Sequence, residues 1–599
     1  MTREGRNDEQ VSLKGRVWRT RVADPAAARR MVSAGLSEPA ARILSSRSLG
    51  DVTIPDFMDP TLRKMMPDPL RFQGMQRGSR HVADLISKGG KIGIWSDYDV
   101  DGATSAAILG RFLRMVGAGE APLRIPDRIL EGYGPNAPGL TDMKKQGCDT
   151  VCVLDAGTVA FEPLEAAGAA GLDVVVIDHH ASEENLPPAT AVINPNRRDE
   201  RPGYGHLCAA GMTFIFCVEV ARVLRDRGYF DGKNGRPPRV PDLMNLLDLV
   251  ALGTVCDVVP LTGLNRAFVY RGLRRMSERE TSGIVALAEV AGVAPATPFT
   301  SADCGWRLGP RINAGGRIDD STLGARCLLT DDAEEAEGLA ARLEACNRER
   351  KSLEQGATDQ ALEQIDGREP GERGSVIAIV DGHEGVVGIS ASRVKEAADA
   401  PAIVLTRDHE GNLKGSARSV PGFDVGHAII EARQAGLVMK GGGHGMAGGV
   451  TLSPDQVDGF RAFLDGKIRE SAFFRDGVVT EADLEMRVRD LRVEALDGLG
   501  QLEPTGTANP EPVLLLKDAE LRGLRVLKER HLKLKLGDGP AEIDALLWNV
   551  IDTPLGSALM KLEGHVIDVM GKPGINEFRG RRTAQVMVDD VRIPAGTLL

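Results

Sequence analysis

The sequence lacks any hydrophobic run long enough to cross a membrane. A transmembrane helix needs about 18 or more consecutive apolar residues, and no stretch of the 599 residues reaches that length. The N-terminus, residues 1–16, is polar and lacks the apolar core of a secretory signal peptide. These absences argue against an integral membrane protein, and we expect a cytoplasmic protein that does not associate with membranes.

Cysteines with the spacing of a zinc site or a disulfide framework are also lacking. The chain has eight cysteines, and the closest pair, Cys148 and Cys152, has no second pair beside it to complete a zinc site. The cysteines are scattered along the chain, which is typical of reduced thiols in an intracellular protein. We therefore expect all eight to be unpaired.

A surplus of positive charge, which usually marks nucleic-acid-binding proteins, is missing as well. Lys and Arg number 74 against 85 Asp and Glu, so the formal net charge is -11. Net charge describes only the average surface, and basic residues are concentrated locally, as in 522–535 and 579–582. The acidic balance therefore does not exclude a nucleic-acid substrate.

The pattern along the chain predicts several domains, because 599 residues are too many for a single hydrophobic core. Apolar runs that alternate with alanine-rich stretches predict an α/β fold with a parallel sheet. Short alternating strands between Gly and Pro turns predict a small C-terminal β-barrel, with a structural or an oligonucleotide-binding role. The predicted division is a lead-in over 1–75 with a helical segment at 24–45, a parallel-sheet domain over 76–320, a connecting helix over 321–368, a smaller α/β domain over 369–472 and the barrel over 473–599.

Acidic residues follow four apolar runs of the predicted sheet domain, 91–95, 150–154, 174–177 and 249–256. Such runs are typical of strands that are buried on both faces, so each acid is expected at the carboxyl end of a strand. That edge is where open α/β sheets bind ligands. The residues that follow the four runs include Asp97, Asp99, Asp101, Asp155, Asp178, His179, His180 and Asp257.

If the strands are neighbours in one sheet, these carboxylates and histidines meet in one small patch. So much negative charge is unfavourable unless cations occupy it. Carboxylate and imidazole ligands favour Mn²⁺ or Mg²⁺ over a structural zinc ion. Two such ions roughly 3.5–4 Å apart are the usual arrangement for phosphodiester hydrolysis. Taken singly, each motif has a simpler explanation, since an Asp-rich turn is often a helix cap and a His pair is often a packed pair.

Glycine-rich and arginine-bearing segments predict further phosphate-binding elements. Residues 441–449 hold six glycines around a histidine, and glycine backbone amides can line an anion-binding concavity. Arginine binds phosphate oxygens in pairs, and serine or asparagine can donate a further bond. Any one of these segments alone could be a flexible turn or a surface salt-bridge partner. The candidates are Arg128, Arg311, Asn313, Ser392, Arg393 and His444.

Eleven motifs follow one another along nearly the whole chain. They are DYDVDGATS, VLDAG, IDHHA, GTVCDVVPL, GPRINAGGR, NRERK, GVVGISASR, GGGHGMAGG, LEPTGTANPEP, HLKLKL and NEFRGRRTAQ. Their order resembles the DHH phosphoesterase superfamily and, within it, the RecJ single-strand-specific exonucleases. The chain departs from the family at Trp95, Ala156 and Thr505, where members often have histidine, asparagine or cysteine, and an aromatic residue.

The resemblance implies a DHH-type sheet domain, a long connecting helix, a DHHA1-type domain and an OB-like barrel. It also implies a 5′-to-3′ exonuclease that degrades single-stranded DNA to 5′-mononucleotides with two Mn²⁺ or Mg²⁺ ions, in DNA repair and recombination. The implied metal residues are Asp97, Asp99, Asp101, Asp155, His179 and Asp257, with Asp155 between the ions. The implied catalytic residues are His180, at the scissile phosphate, together with Asp155 and Asp178. The implied phosphate-binding residues are the six candidates already given.

Two other functions are compatible with the same fold. One is a replication scaffold that binds DNA without cleaving it, and the other is a phosphatase that acts on nanoRNA or small nucleotides. The retained acids argue against the scaffold, and the barrel argues against the phosphatase. The resemblance also suggests a RecQ-type helicase and a single-stranded-DNA-binding protein as partners, and we expect a monomer.

Overall fold

A computed structural model describes residues 11–47, 52–128, 130–233, 235–365 and 372–594. The chain folds into two compact units. The first, here called the sheet unit, comprises residues 55–350 and 503–510. The second, here called the barrel unit, comprises residues 1–54, 351–502 and 511–599.

The sheet unit contains a five-stranded sheet in which all the strand pairs are parallel. Its three central strands are buried along almost their whole length, because helices cover both faces. The prediction of a parallel sheet is therefore confirmed. In spatial order the strands are Leu123–Arg124, Ile92–Ser96, Thr150–Leu154, Asp173–Ile177 and Ala191–Ile193.

The helices of the sheet unit pack closely around one that is rich in small residues. The helix Val100–Met115 is buried over most of its length, and Gly253 of a neighbouring helix lies so near it that a Cβ there would be 2.5 Å from the Thr104 hydroxyl. The other helices are Ile54–Met58, Leu62–Met65, Met75–Lys88, Ala137–Lys145, Phe161–Ala169, Ala209–Asp226, Leu247–Cys256, Gly263–Ser277, Ser282–Val290, Gly309–Ile318 and Leu323–Leu329.

The prediction of a strand over 249–256 is wrong, because these residues belong to the helix Leu247–Cys256. Its residues 247–254 are all buried. A short apolar run that is buried on every side has no periodicity that separates a helix from a strand. Asp257 is therefore the residue that ends a helix, and it does not follow a strand.

The connecting helix is shorter than predicted. It spans Ala333–Glu363, and the carboxylate of Asp332 accepts a hydrogen bond from the Glu335 amide at 2.9 Å just before its start. The helical segment predicted at 24–45 consists of two helices, Pro25–Ser33 and Glu38–Ser46. They are separate because Gly35 has a φ of 104° and because Ser37 caps the second helix.

The barrel unit contains a smaller α/β sheet followed by the barrel. The sheet has the spatial order Lys440–His444, Ala447–Leu452, Leu413–Arg418, Ala402–Arg407 and Val376–Ile379. Only its last pair is parallel. Besides Pro25–Ser33 and Glu38–Ser46, the helices of this unit are Val387–Ala398, Val425–Gln434, Val457–Glu470, Ala472–Asp476, Val493–Leu499 and Pro554–Leu559.

Five strands form the closed C-terminal barrel, which confirms the predicted OB-like fold. The strand Leu514–Leu527 pairs with both of its neighbours and so closes the ring. In spatial order the ring is Leu514–Leu527, His531–Asp538, Ala541–Leu547, Arg581–Arg592 and Val566–Phe578, with Leu484–Met486 added beside the first strand. A separate parallel pair joins Val17–Thr20 to Val479–Ala482.

The segment 503–510 packs with the sheet unit, although its neighbours in sequence belong to the barrel unit. The Thr507 carbonyl accepts a hydrogen bond from the Leu261 amide at 2.8 Å. The buried guanidinium of Arg266 donates to the carbonyls of Pro504 at 3.1 Å and Glu503 at 2.7 Å. A short piece of the sequence before the barrel thus completes the sheet unit.

All eight cysteines lie within the described residues, and each is a free thiol, as predicted. Among the described residues, no helix is both long and apolar enough to cross a membrane.

Candidate metal centre

The first acidic loop joins a central strand to the helix Val100–Met115. Asp99 caps this helix, and its carboxylate accepts a hydrogen bond from the Gly102 amide at 3.0 Å. The loop can turn so tightly only because Gly102 has no side chain, since a Cβ there would lie 2.3 Å from the Asp97 carbonyl. Asp101 is buried, and its carboxylate accepts from the amides of Ala209 at 2.6 Å and Ala210 at 2.9 Å. The N-terminus of a second helix therefore fixes this carboxylate.

Asp155 follows the next central strand and lies at the middle of the acids. Its φ of 58° is in the left-handed region, which aspartate tolerates better than most residues. The side chain is 2 % exposed. Its Oδ1 lies 3.2 Å from the Nε2 of His179 and 3.8 Å from the Nδ1 of His180.

Asp178 organises the two histidines that follow it. One of its oxygens accepts from the amides of His179 at 2.7 Å and His180 at 3.1 Å, and from the His180 Nδ1 at 2.8 Å. Despite burial, these bonds hold the pKa of Asp178 below its ordinary value. The pKa of His180 is raised, since its bond and charge interaction with Asp178 outweigh burial. Asn194 and Asn196 fix the same turn through the carbonyls of His180 at 2.9 Å and His179 at 2.5 Å.

His179 lies between three carboxylates. Besides Asp155, its Nε2 lies 3.8 Å from Asp101, and its Nδ1 lies 3.7 Å from Asp257. Three overlapping groups of residues could hold metal ions, and within each group the ligand atoms lie within 4.8 Å of one another. They are Asp97, Asp99 and Asp155; Asp101, His179 and Asp257; and Asp155, His179 and His180. Asp155 and His179 are each shared by two groups, which suits a pair of neighbouring ions.

The electrostatics of these acids fit a bound cation. Burial, and then the charge of Asp99, raise the pKa of Asp97 to about 8. Burial, and then the charge of Asp101, raise the pKa of Asp257 to about 9. The pKa of Asp155 is also raised, first by burial and then by the neighbouring acids. One buried oxygen on each of Asp97, Asp155 and Asp257 has no hydrogen-bond partner. Divalent cations with oxygen ligands would satisfy these atoms and restore the ionised form of the acids.

Arginines lie at one side of this cluster, but they are not all the predicted ones. The guanidinium of Arg128 lies 5.0 Å from the centre of the Tyr98 ring. In the sequence, Tyr98 stands between Asp97 and Asp99. Burial, and then the positive charges of Arg128 and Arg350, lower the pKa of Arg317 to about 10. We call Arg128, Arg317 and Arg350 the arginine group.

Arg311 has a different environment, because the segment that contains it is a helix. Its Nε lies 2.7 Å from the carboxylate of Glu344, and its Nη1 donates to the Arg307 carbonyl at 2.6 Å. Asn313 is half-buried on the same helix. Their roles in phosphate binding stay predictions, and the surroundings favour Arg317 over Arg311.

The other predicted phosphate-binding residues lie in the barrel unit. Ser392 and Arg393 are on the helix Val387–Ala398, where Arg393 is 60 % exposed and lies 3.7 Å from Glu354. His444 ends the first strand of a hairpin formed by the glycine-rich segment. These three roles also stay predictions.

Tyr133 is a site residue that the sequence reasoning missed. Its hydroxyl donates to the Asp155 carbonyl at 2.9 Å and lies 3.0 Å from the Nδ1 of His180. Its ring meets the His180 ring edge-on at 5.5 Å. The sequence offered a signal, because Tyr133 stands between two glycines shortly after the candidate Arg128.

Two departures from the family pattern lie in the protein core. Trp95 and Ala156 are fully buried in one apolar cluster on a face of the sheet. Gly139 of a covering helix approaches the Trp95 ring so closely that a Cβ there would lie 2.4 Å from it. Neither residue is among the groups that could hold a metal ion in the described part of the chain.

Three domain families match segments of this chain. The DHH family, N-terminal domain matches residues 91–254, the DHHA1 domain matches 373–470, and the RecJ OB domain matches 482–590. The predicted kinds of domain and their order are thereby confirmed, while the boundaries predicted between them stay predictions.

Individual relatives match over most of their length. The single-stranded-DNA-specific exonuclease RecJ of Escherichia coli (strain K12) is 34 % identical over 89 % of this chain and 92 % of its own. The crystal structure of RecJ from Thermus thermophilus in complex with Mn²⁺ has a TM-score of 0.77 at 26 % identity, and covers 98 % of this chain and 81 % of its own. The Mg²⁺ complex of that protein has a TM-score of 0.70 at 26 % identity, with 97 % and 79 % covered. The cluster of acids and histidines, the barrel and the similarity along most of the sequence all agree, and this chain belongs to the RecJ family of single-stranded-DNA-specific exonucleases.

Proposed function

We propose that this protein is a metal-dependent exonuclease that degrades single-stranded DNA from its 5′ end to 5′-mononucleotides, in DNA repair and recombination. The observation that carries the proposal is the buried cluster around Asp155 and His179, whose overlapping groups suit two Mn²⁺ or Mg²⁺ ions. The family relatives named as single-stranded-DNA-specific exonucleases support the substrate. The polarity and the product rest on family resemblance.

The acids of the cluster would divide between two ions. Asp97, Asp99 and Asp155 would hold one ion, and Asp101, His179 and Asp257 would hold the other. Ions in such sites polarise phosphate oxygens and make a nearby water more acidic. The chain itself contributes rigidity, because helix N-termini and backbone amides already orient Asp99 and Asp101.

His180 is proposed to contact the scissile phosphate. Its Nδ1 is held by Asp178 at 2.8 Å and Tyr133 at 3.0 Å, so Nε2 is the nitrogen that can reach a substrate. Its side chain is 48 % exposed, against 14 % for His179. A protonated imidazole in this position would donate a hydrogen bond to the phosphate and balance its growing charge.

The arginine group is proposed to hold the phosphate backbone beside the metal centre. Guanidinium groups bind phosphate oxygens without reading bases, so little sequence preference is expected. The predicted contacts of Arg311, Asn313, Ser392, Arg393 and His444 with the 5′ nucleotide remain part of the proposal.

The test uses a 5′-phosphorylated single strand with a fluorophore at its 3′ end, incubated with Mn²⁺. A ladder of labelled fragments that shorten from the 5′ side supports the proposal, whereas immediate release of a labelled mononucleotide indicates the opposite polarity. Chromatography of the products distinguishes 5′-mononucleotides from short oligonucleotides. Binding without cleavage would favour a DNA-binding scaffold and would contradict the proposal.

Three controls make the result specific. A duplex of the same sequence should resist cleavage, EDTA should abolish cleavage, and Asp155→Asn should lose cleavage while it stays folded. A nanoRNA substrate that is cleaved in preference to the DNA strand would instead indicate the small-nucleotide phosphatase.

The proposal also includes partners, a cytoplasmic location and a monomeric state. A RecQ-type helicase would supply single strands, and a single-stranded-DNA-binding protein would present them. Co-purification with either partner, and its loss after salt washing, would test these contacts. Size-exclusion chromatography with light scattering tests the proposed monomer, and cell fractionation tests the proposed cytoplasmic location.

A further inference from the structure

The residues 303–318, here called the rim segment, run along the border of the metal centre. A Cβ at Gly309 would lie 2.6 Å from the Sγ of Cys256, the residue just before an aspartate of the cluster. At the other end, a Cβ at Gly316 would lie 3.1 Å from the Cβ of Tyr98, between two aspartates of the first loop. The rim segment therefore touches both sides of the proposed two-ion site.

Trp306 projects from the start of the rim segment and is 81 % exposed. Its backbone lies in the π-helical turn Asp303–Leu308, a rare geometry that is frequent at functional sites. The turn is well anchored, since Cys304 and Leu308 are fully buried and the Asp303 carboxylate accepts from the Thr300 amide at 2.9 Å. A large aromatic ring is thus held in solvent on a fixed support.

A second exposed apolar side chain lies at the same end of the cluster. Val258 follows the metal-cluster residue Asp257 directly and is 68 % exposed. Its φ of 59° is unfavourable for a β-branched residue. The Sγ of Cys256 donates to the Cys304 carbonyl at 3.4 Å, which joins this turn to the turn that carries Trp306.

Single exposed apolar residues are common on protein surfaces and need no explanation. Here, however, an exposed indole and a strained valine stand on two turns that a hydrogen bond joins beside Asp257, one of the acids of the cluster. Acids repel backbone phosphates that are not paired with cations, so the part of a single strand suited to this border is the neutral face of a base. Aromatic rings bind bases in this way in many proteins that handle single strands.

We propose that Trp306 is a stacking platform for one nucleobase of the single strand, an inference that rests on the proposed function. Arg317 lies near the other end of the rim segment, and a helical rise of about 1.5 Å per residue separates it from Trp306 by about 16 Å. Stacked nucleotides are about 3.4 Å apart, so the stacked base lies within about five nucleotides of the phosphate at the arginine group. Trp306 would position the strand without selecting a sequence, because every base has a face that can stack.

The test is an abasic scan. The substrates are 5′-phosphorylated oligothymidylates with a 3′ fluorophore. Each strand of the set carries one abasic residue, and its position moves one nucleotide further from the 5′ end from one strand to the next. Binding is measured by fluorescence anisotropy in EDTA, where no hydrolysis interferes. The proteins compared are the wild type, Trp306→Ala, Trp306→Phe and, as the matched control, Phe474→Ala, which removes an exposed aromatic ring from the helix Ala472–Asp476, outside the barrel strands.

We expect Trp306→Ala to weaken binding of the intact strand about tenfold, which corresponds to about 1.4 kcal/mol. One abasic position within the first several nucleotides should weaken binding to the wild type by a similar factor and should cause no further loss in Trp306→Ala. Trp306→Phe and Phe474→Ala should keep the wild-type profile. Unchanged melting temperatures would show that the variants are folded.

Two results would overturn the platform. One is wild-type binding by Trp306→Ala, and the other is an abasic profile that is the same in the wild type and in Trp306→Ala. Cleavage is measured separately with Mn²⁺ on the same strands. One outcome separates the two proposals: no protein cleaves the strand, but the loss of binding caused by the abasic residue is seen with the wild type and is absent with Trp306→Ala. In that case the proposed function fails and the stacking platform stands.

Discussion

The two units of the protein both bury carboxylates, but they stabilise them differently. In the barrel unit, Asp483 is 5 % exposed and accepts from the guanidinium of Arg47 at 2.7 and 3.0 Å. In the sheet unit, Asp97 and Asp155 are 4 % and 2 % exposed, yet each keeps a buried oxygen without a hydrogen-bond partner. A fixed cation within the chain stabilises the first kind of acid, whereas the second kind needs a cation from solution.

This difference is a physical criterion that distinguishes structural acids from candidate metal ligands. A buried acid with an arginine partner holds two segments together, as Asp483 does with a residue more than 400 positions away. A buried acid among other acids has a raised pKa and contributes unfavourably to folding until an ion binds. The following changes test the two kinds of acid against each other.

The largest expected effect is that of Asp155→Asn on hydrolysis. Asp155 belongs to two of the ligand groups. Its replacement should therefore lower the rate of hydrolysis more than replacement of an outer ligand would, by about 10³-fold or ~4 kcal/mol. The free energy of unfolding in EDTA should not fall, since the variant removes a buried acid that is unfavourable to folding until an ion binds. Single-turnover cleavage and urea unfolding measure the two quantities.

Asp248→Asn is the matched control for this variant. Asp248 is equally buried in the sheet unit, but it bonds to the Thr281 hydroxyl at 2.5 Å and belongs to none of the ligand groups. Its substitution should leave hydrolysis intact. Full activity of Asp155→Asn, or complete loss in Asp248→Asn, would contradict the assignment of the metal centre.

Arg47→Met tests the structural kind of acid. It leaves the Asp483 carboxylate buried without its main partner, so the free energy of unfolding should fall by about 3 kcal/mol while hydrolysis at low temperature is retained. The double variant Arg47→Met with Asp483→Leu should recover much of that loss, because an apolar pair of similar volume can replace a buried ion pair. A single variant as stable as the wild type would show that the pair contributes little.

The stability of the metal-free protein should fall as the pH rises. The folded pKa of Asp97 is about 8 and that of Asp257 about 9, both above an ordinary value of 3.8. The folded state therefore binds more protons than the unfolded state between about pH 4 and pH 9, and stability decreases across that window by about 1.4 kcal/mol per pH unit for each excess proton.

Bound Mn²⁺ should remove much of this pH dependence, because its ligands are ionised. Thermal unfolding in EDTA and in Mn²⁺ at several pH values measures the difference. Metal-free stability that rises with pH in this window would show that the acids are not held in their protonated form.

The smallest of these effects is that of Tyr133→Phe. The variant removes the hydroxyl that bonds to the Asp155 carbonyl and meets the His180 Nδ1, so we expect a loss of about tenfold in the rate of cleavage, ~1.4 kcal/mol. Binding of the strand should change little. A rate equal to that of the wild type would show that Asp178 alone is sufficient to orient His180.

Much of the metal centre can be predicted from local sequence because three of its strands are continuous apolar runs that end in acids. Parallel strands bring their carboxyl ends to one edge, so the sequence predicts that Asp97, Asp155 and Asp178 meet there. The run before Asp257 leads to a wrong prediction, since a helix that is buried on all sides has the same apolar composition as a buried strand. Asp257 nevertheless lies 3.7 Å from His179, because the helix ends at the residue where the predicted strand would have ended.

Local runs and short motifs were sufficient to identify the family, the kinds of domain, and the acids and histidines of the cluster. Three-dimensional packing was needed to show that Tyr133 meets His180, that Arg311 pairs with Glu344 while Arg317 joins Arg128, and that the segment 503–510 packs with the sheet unit. These contacts join residues that are far apart in the chain, or they depend on which side of a helix a residue occupies. Spacing in a sequence cannot show which of two arginines faces a distant acid, since packing of the whole unit sets that direction.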